Sequence, residues 1–259
     1  MYRINVLFIL VLFLTACGSP ELNEDVKTIE LTVSAAASMQ TVLEELTKNF
    51  EEKHSTIDIS FNFGGSGALA QQISQGAPVD LFLSASIEKF DALVDDGLID
   101  QSQKKNVIGN EIVLISPIEN EKDISSLEDL KTKADRVSIG IPESVPAGKY
   151  AKEALDSMGL WNSIERNTEI VFAKDVRQVL TYVETGNVDA GFVYKTDAQS
   201  TDQIKVISSV DSTYHSAIIY PIGVLNSSKH MDEATLFYEY LLSEEALHIF
   251  EEYGFTRIK

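Results

Sequence analysis

Residues 29–95 read IELTVSAAASMQTVLEELTKNFEEKHSTIDISFNFGGSGALAQQISQGAPVDLFLSASIEKFDALVD, and three times in this stretch a short apolar run gives way to a helical pattern. The runs are IELTVS at 29–34, IDISFN at 57–62 and DLFLS at 80–84; helical periodicity follows at 39–53, 67–75 and 86–95. Strands that alternate with helices predict an α/β fold with a parallel sheet and helices on both faces. The grammar repeats downstream. EIVLIS at 111–116 leads to a helix near 126–133, VSIGI at 137–141 to one at 148–158, EIVFA at 169–173 to one at 176–185, and DAGFVY closes the series at 189–194. A last strand, AIIYPIGVL at 217–225, precedes helices at 232–242 and 244–252, and its Pro221 predicts an edge or crossover position.

Gly109-Asn110 separates the two series. We therefore expect two α/β lobes, with 29–109 and 217–259 forming lobe I and 110–216 forming lobe II. The chain would cross between them near 109–110 and 216–220, and the C-terminal helices would return to lobe I. Periodicity alone leaves a single doubly wound sheet open as the alternative.

The full chain has 259 residues, with 40 Asp and Glu against 21 Lys and Arg, a net charge of −19. Such a field repels nucleic acid phosphates and anionic lipid surfaces, which excludes a nucleic-acid function. The single cysteine, Cys17, excludes an internal disulfide framework and any multi-thiolate metal site. Its position carries more information. Residues 1–16, MYRINVLFILVLFLTA, hold one cation at Arg3 and an apolar run from Val6 to Leu14, the pattern of a signal peptide and too short for a transmembrane span. Leu14-Thr15-Ala16-Cys17 resembles the lipobox of bacterial lipoproteins, in which the cysteine is lipidated. Cleavage before Cys17 removes Arg3 and no acid, leaving a net charge of −20. Residues 17–28 are polar and aperiodic and read as a tether between lipid and fold.

Chemistry is expected where strands end and helices begin. Ala35-Ala36-Ala37-Ser38, Gly64-Gly65-Ser66-Gly67, Val145-Pro146-Ala147-Gly148 and Asp175-Val176 each place small or capping residues at such a junction, two in each predicted lobe. A helix N-terminus has unpaired N–H donors and about half a positive charge, so it attracts anions without Lys or Arg. Screening over ~8 Å at physiological salt keeps distant surface carboxylates from cancelling that local field. Each junction taken singly also reads as ordinary capping, and Tyr194 at the end of GFVY as a core aromatic.

Enzyme motifs fit less well. Gly65-x-Gly67-x-x-Ala70 with Glu88 matches a loose dinucleotide fingerprint, but an exported chain has little access to such a cofactor. Gly64-x-Ser66-x-Ala68 approaches the nucleophile elbow of a secreted serine hydrolase, the alternative from a different class, yet ends in Ala. His54, His215, His230 and His248 have no distinguishing context, and no zinc or calcium motif occurs.

VSAAASM at 33–39, GGSGALAQQISQGAPVDLFLSA at 64–85, GN at 109–110, VPAGKYAKEAL at 145–155, AKDVRQVL at 173–180, GFVYKTDA at 191–198 and FEEYGF at 250–255 together resemble the molybdate-binding substrate-binding proteins of ABC transporters. The resemblance runs through nearly all of the chain beyond Cys17. It implies a two-lobed, periplasmic-binding-protein-like fold of type II, each lobe a mixed, mainly parallel sheet flanked by helices. It also implies a monomeric protein, without catalytic residue or cofactor, that closes on molybdate or tungstate and delivers it to an ABC permease and its ATPase. By the same resemblance Ser38 and Ser66 supply hydroxyls and amides, Ala147 and Val176 backbone amides, and Tyr194 its phenol; molybdenum is held as the oxyanion, with no direct protein ligand. This chain reads Gly64-Gly65-Ser66-Gly67 where some members are serine-rich, and Asp175 is a helix cap whose carboxylate could also accept a proton from a protonated anion. A site of donors alone suits a deprotonated dianion and leaves sulfate as the competing ligand, to be excluded by cavity size. If Cys17 carries the anchor, Cys17→Ser should move the protein from the membrane fraction to the soluble one; a variant that still sediments with membranes defeats the lipobox reading.

Overall fold

A computed structural model describes residues 28–258, so the signal peptide, Cys17 and all of the tether except Thr28 lie outside the described residues. The chain runs through β1 (Ile29–Ala36), α1 (Gln40–Lys53), β2 (Ile57–Gly64), α2 (Ser66–Ser74), β3 (Leu81–Leu83), α3 (Ile87–Asp95) and β4 (Lys105–Gly109). It continues with β5 (Ile112–Pro117), β6 (Arg136–Gly140), α4 (Pro146–Ser157), α5 (Trp161–Asn167), β7 (Glu169–Ala173), α6 (Val176–Glu184), β8 (Ala190–Tyr194), α7 (Lys195–Ala198) and β9 (Ile204–Ser209). It ends with β10 (Ile219–Val224), α8 (Met231–Leu241), α9 (Glu244–Glu252) and β11 (Thr256–Arg257).

Two sheets result, in the order β11-β4-β10-β3-β1-β2 and β7-β6-β8-β5-β9. We refer to each sheet with its helices as lobe I and lobe II. The α/β expectation holds, and the sheets are mixed, as the resemblance implies. β1 pairs in parallel with β2 and β3, and β6 with β7 and β8. β10 runs antiparallel to β3 and β4, and β5 antiparallel to β8 and β9. These pairs involve the strands at which the chain enters a sheet from the other one; β11 also pairs antiparallel with β4 at the sheet edge. No crossover helix precedes β5 or β10, so the rule that holds βαβ strands parallel does not apply to them.

The central parallel strands β1 and β3 are buried on both faces towards their C-terminal ends, with Val33 and Ala35 on one face of β1 and Ser34 on the other, and Leu81 and Leu83 on one face of β3 and Phe82 on the other. Val42, Leu43, Leu46 and Phe50 form the buried face of α1, at helical spacing. Phe50 packs edge-on against Phe237 of α8 at 5.0 Å between ring centroids, which brings the C-terminal helices back onto lobe I.

Two local expectations need correction. Pro221 does follow the crossover, in the strand that returns the chain to lobe I, but β10 is an interior strand and not an edge; the sheet register shifts between Tyr220 and Pro221, and the irregularity accommodates the missing N–H. The helix expected near 126–133 is only a 3-10 turn, Glu128–Lys131. There the Asp129 carboxylate accepts from both the amide and the hydroxyl of Ser125, a local network that competes with helix extension. The sequence pattern misses β4, β9 and β11 and the helices α5 and α7: β11, α5 and α7 are brief, β4 opens on two exposed polar residues, and β9 is interrupted by the exposed Lys205 and ends in two serines, which blurs its periodicity.

One close approach positions the site. Gly148, in the first turn of α4, lies against Gly140 at the end of β6 so tightly that a Cβ on Gly148 would overlap the Gly140 carbonyl. Gly148→Ala should therefore destabilise the fold by about 1–3 kcal/mol or more, read as a lowered midpoint in urea. An unchanged midpoint would show that α4 shifts freely on the sheet.

Candidate functional site

Strand ends at the facing edges of the two lobes surround one small pocket. Its walls come from the end of β1 with the turn after it (Ala36, Ala37, Ser38), the β2–α2 junction (Gly64, Gly65, Ser66), and Ala85 after β3. Lobe II supplies Val145, Pro146 and Ala147 at the start of α4, Val176 at the start of α6, and Tyr194 at the end of β8. All five residues singled out in the sequence, Ser38, Ser66, Ala147, Val176 and Tyr194, line this cavity. No lining residue is charged. The pocket is small, with a free volume of about 10 Å³.

The junction chemistry shows how donors face inward. Ala147 is the second residue of α4 and Val176 the first of α6, positions whose amides have no intrahelical acceptor. Pro146 opens α4 with its φ already helical and no N–H to leave unsatisfied. Asp175 caps α6: its Oδ1 accepts the Gln178 amide at 2.9 Å, which agrees with the helix-cap reading. The Ala85 amide donates to Ser66 Oγ at 2.9 Å, so an acceptor position of Ser66 is filled and its proton remains available. Ser38 Oγ lies 2.9 Å from the hydroxyl of Tyr220.

Tyr194 is the least ordinary member. Its side chain is 1% exposed, and its hydroxyl has no hydrogen-bond partner among the described residues. Burial, with smaller contributions from Tyr220, Tyr150 and Asp197, pushes the phenol well above its usual range, so it stays protonated and able to donate. The sequence presented this residue as core, and only the family resemblance gave it a role.

The lobes meet directly over the pocket. The Gly67 amide donates to Ser144 O at 2.9 Å, and the Tyr150 hydroxyl of α4 donates to Ala85 O at 3.2 Å. Lys149 pairs with Glu88 across the mouth. Gly65 and Gly67 both abut Ser144, where a Cβ would come within 2.8 Å of its backbone. The sequence assigns no site role to Ala85, Tyr150, Tyr220 or Asn110, although SA at 84–85, VPAG-x-Y, GN at 109–110 and AIIYPIGVL contain them.

Two larger cavities lie elsewhere. One of about 460 Å³ at the far side of lobe II is lined by Glu119, Glu121, Glu184 and Asp189 with a single Lys122, a balance that repels anions. The other, of about 330 Å³, shares Ser38 with the small pocket and reaches Arg177, Thr196 and Tyr253. None of the four histidines lines the small pocket, no cluster of metal-binding side chains occurs among the described residues, and no described helix is long and apolar enough to cross a membrane.

A family model described as bacterial extracellular solute-binding protein matches residues 31–256. A protein of Bacillus subtilis (strain 168), provisionally named an ABC transporter substrate-binding lipoprotein, is 48% identical over 95% of this chain and 94% of its own length. The molybdate-binding protein of Escherichia coli (strain K12) is 35% identical over 88% of this chain and 89% of its own. Among solved structures, the periplasmic molybdate-binding protein of Azotobacter vinelandii superposes with a TM-score of 0.79 over 88% of this chain and all of its own, at 22% identity, which shows the shared type II fold.

Beside the pocket, Asp197 is fully buried. Desolvation pushes its carboxyl up to about 7, offset in part by Arg177 and by the Tyr194 amide that it accepts. A carboxyl raised in the folded state contributes stability below its unfolded pKa of about 4, and that contribution is lost as pH rises through about 7. Asp197→Asn should abolish this loss, so urea midpoints measured from pH 4 to pH 8 should fall less steeply in the variant. Parallel profiles would mean that Asp197 stays ionised throughout.

Proposed function

The chain belongs to the family of bacterial extracellular solute-binding proteins, and we propose that it captures molybdate or tungstate between its lobes and passes it to an ABC permease driven by its ATPase. The observation that carries this reading is the uncharged pocket itself: oriented hydroxyls, first-turn amides and one buried phenol, unpartnered among the described residues, converge on one small space. Its five neutral donors are Ser38, Ser66, Ala147, Val176 and Tyr194, drawn from both lobes. Similarity to a molybdate-binding protein over most of the chain supports the choice of anion.

A pocket of donors favours a fully deprotonated tetrahedral dianion. Hydrogen phosphate brings a proton that would meet another donor and lose a hydrogen bond. Sulfate has the charge and shape of molybdate with shorter bonds, so its exclusion rests on pocket size. Molybdate and tungstate are nearly equal in size and should bind alike. Ser66 has no histidine or carboxylate beside it, and its Oγ is occupied by the Ala85 amide, so the hydrolase alternative lacks a general base here. Delivery from the outer face of the membrane through lipidated Cys17 completes the proposal.

Titration calorimetry with molybdate, tungstate, sulfate and hydrogen phosphate tests the ligand. Heat with the first two and little with the others is expected; tight sulfate binding without molybdate heat would overturn the choice of anion. Tyr194→Phe removes a hydroxyl that has no hydrogen-bond partner within bonding distance among the described residues. It should weaken molybdate binding by about tenfold or more without lowering the apoprotein melting temperature, as loss of one hydrogen bond to a charged group requires. Undiminished binding would take Tyr194 out of the site.

A further inference from the structure

Gly109-Asn110 stands where the chain first leaves lobe I for lobe II. The orientation of the Asn110 side chain is determined by its surroundings. Its Oδ1 accepts the Glu111 amide at 2.9 Å, so its NH2 group faces the other way; turning the amide over would set two donors against each other. The nitrogen reaches Thr196 Oγ1 at 2.9 Å and the Tyr220 hydroxyl at 3.2 Å. An amide nitrogen only donates, so at this contact the Tyr220 oxygen is the acceptor.

Direction then propagates. Tyr220 is fully buried, and the other partner of its hydroxyl among the described residues is Ser38 Oγ at 2.9 Å. The phenolic proton is thus donated to Ser38, which fills an acceptor position on that serine and leaves the serine's own proton to turn into the pocket that it lines. Bonds in such a chain polarise one another, which makes the terminal hydroxyl a better donor.

We propose that Asn110 and Tyr220 are positioning residues that fix Ser38 as a hydrogen-bond donor towards the ligand and so set the preference of the pocket for anions that carry no proton. Neither residue lines the pocket. Ser66 is held in the same polarity by other means, since the amide of Ala85 can only donate. Without the Tyr220 hydroxyl, Ser38 is free to rotate and accept a proton from hydrogen phosphate.

The proposal rests on the oxyanion reading of the pocket, and the test separates the two. Affinities for molybdate, sulfate and hydrogen phosphate are measured at pH 8 for the wild-type chain, Tyr220→Phe, Ser38→Ala and the double variant. Tyr220→Phe should weaken molybdate by about tenfold while hydrogen phosphate is unchanged or gains, narrowing their ratio; in the Ser38→Ala background the same change should have no effect on the ratio. Asn110→Asp provides a second route: its carboxylate accepts the phenolic proton and turns it away from Ser38. The added charge weakens both dianions alike, so the ratio should still narrow. Equal losses for all anions, or an undiminished Tyr220→Phe effect without the serine hydroxyl, would reduce the two residues to packing and overturn the relay alone. If the wild type favours sulfate over molybdate, the relay is read from the sulfate to hydrogen phosphate ratio. A wild-type chain that binds no tetrahedral oxyanion overturns the reading of the site and the relay with it.

Discussion

The contact between the β2–α2 junction and the turn before α4 sets the geometry on which the pocket depends. Gly67 donates its amide to Ser144 O, and Gly65 and Gly67 leave no room for a side chain between the two backbones. Because the lobes approach this closely, the first turns of α2 and α4 face one another across a space of a few atoms. A bulkier residue at either glycine would hold the lobes apart, and donors from one lobe would then lose reach to an ion held by the other.

That closeness also answers how a chain with a net charge of −19 could hold a dianion. Removing an anion from water is costly unless its oxygens regain hydrogen bonds, and the low dielectric of a buried pocket strengthens those that are well placed. Neutral donors fixed by helices and by second partners supply them without a buried cation, whose own desolvation would have to be offset. The acidic excess lies on the outside, where salt screens it. Tyr194 carries the clearest mark of this arrangement: a buried hydroxyl without a partner among the described residues costs stability, a cost that the proposed oxyanion would remove.

Much of this was legible in the chain because small or capping residues recur at four strand-to-helix junctions, a regularity that the capping of any one helix does not require. β1 to β3, β6 and β7 announced themselves through apolar runs followed by helical periodicity, β8 through its apolar run alone, and the junctions carrying Ser38, Ser66, Ala147 and Val176 fell among them. β4, β9 and β11 did not, since their residues are partly exposed and their pairing is with strands far away in sequence. Pro221 misled because a proline within a strand normally marks an edge; the register shift beside it depends on strands β3 and β4 and has no local signal. Tyr194 looked like any aromatic ending a buried strand.

The sequence by itself determined the alternation of strands and helices and the four junctions with their first-turn amides, because periodicity and capping are properties of neighbouring residues. Only the tertiary structure decided that these junctions face one another, that the Tyr194 hydroxyl is left without a partner, and that Asn110, Tyr220 and Ser38 form a chain with one direction. The direction of a hydrogen bond depends on what the acceptor's other contacts already are, and for these residues those contacts lie as far as 182 positions away.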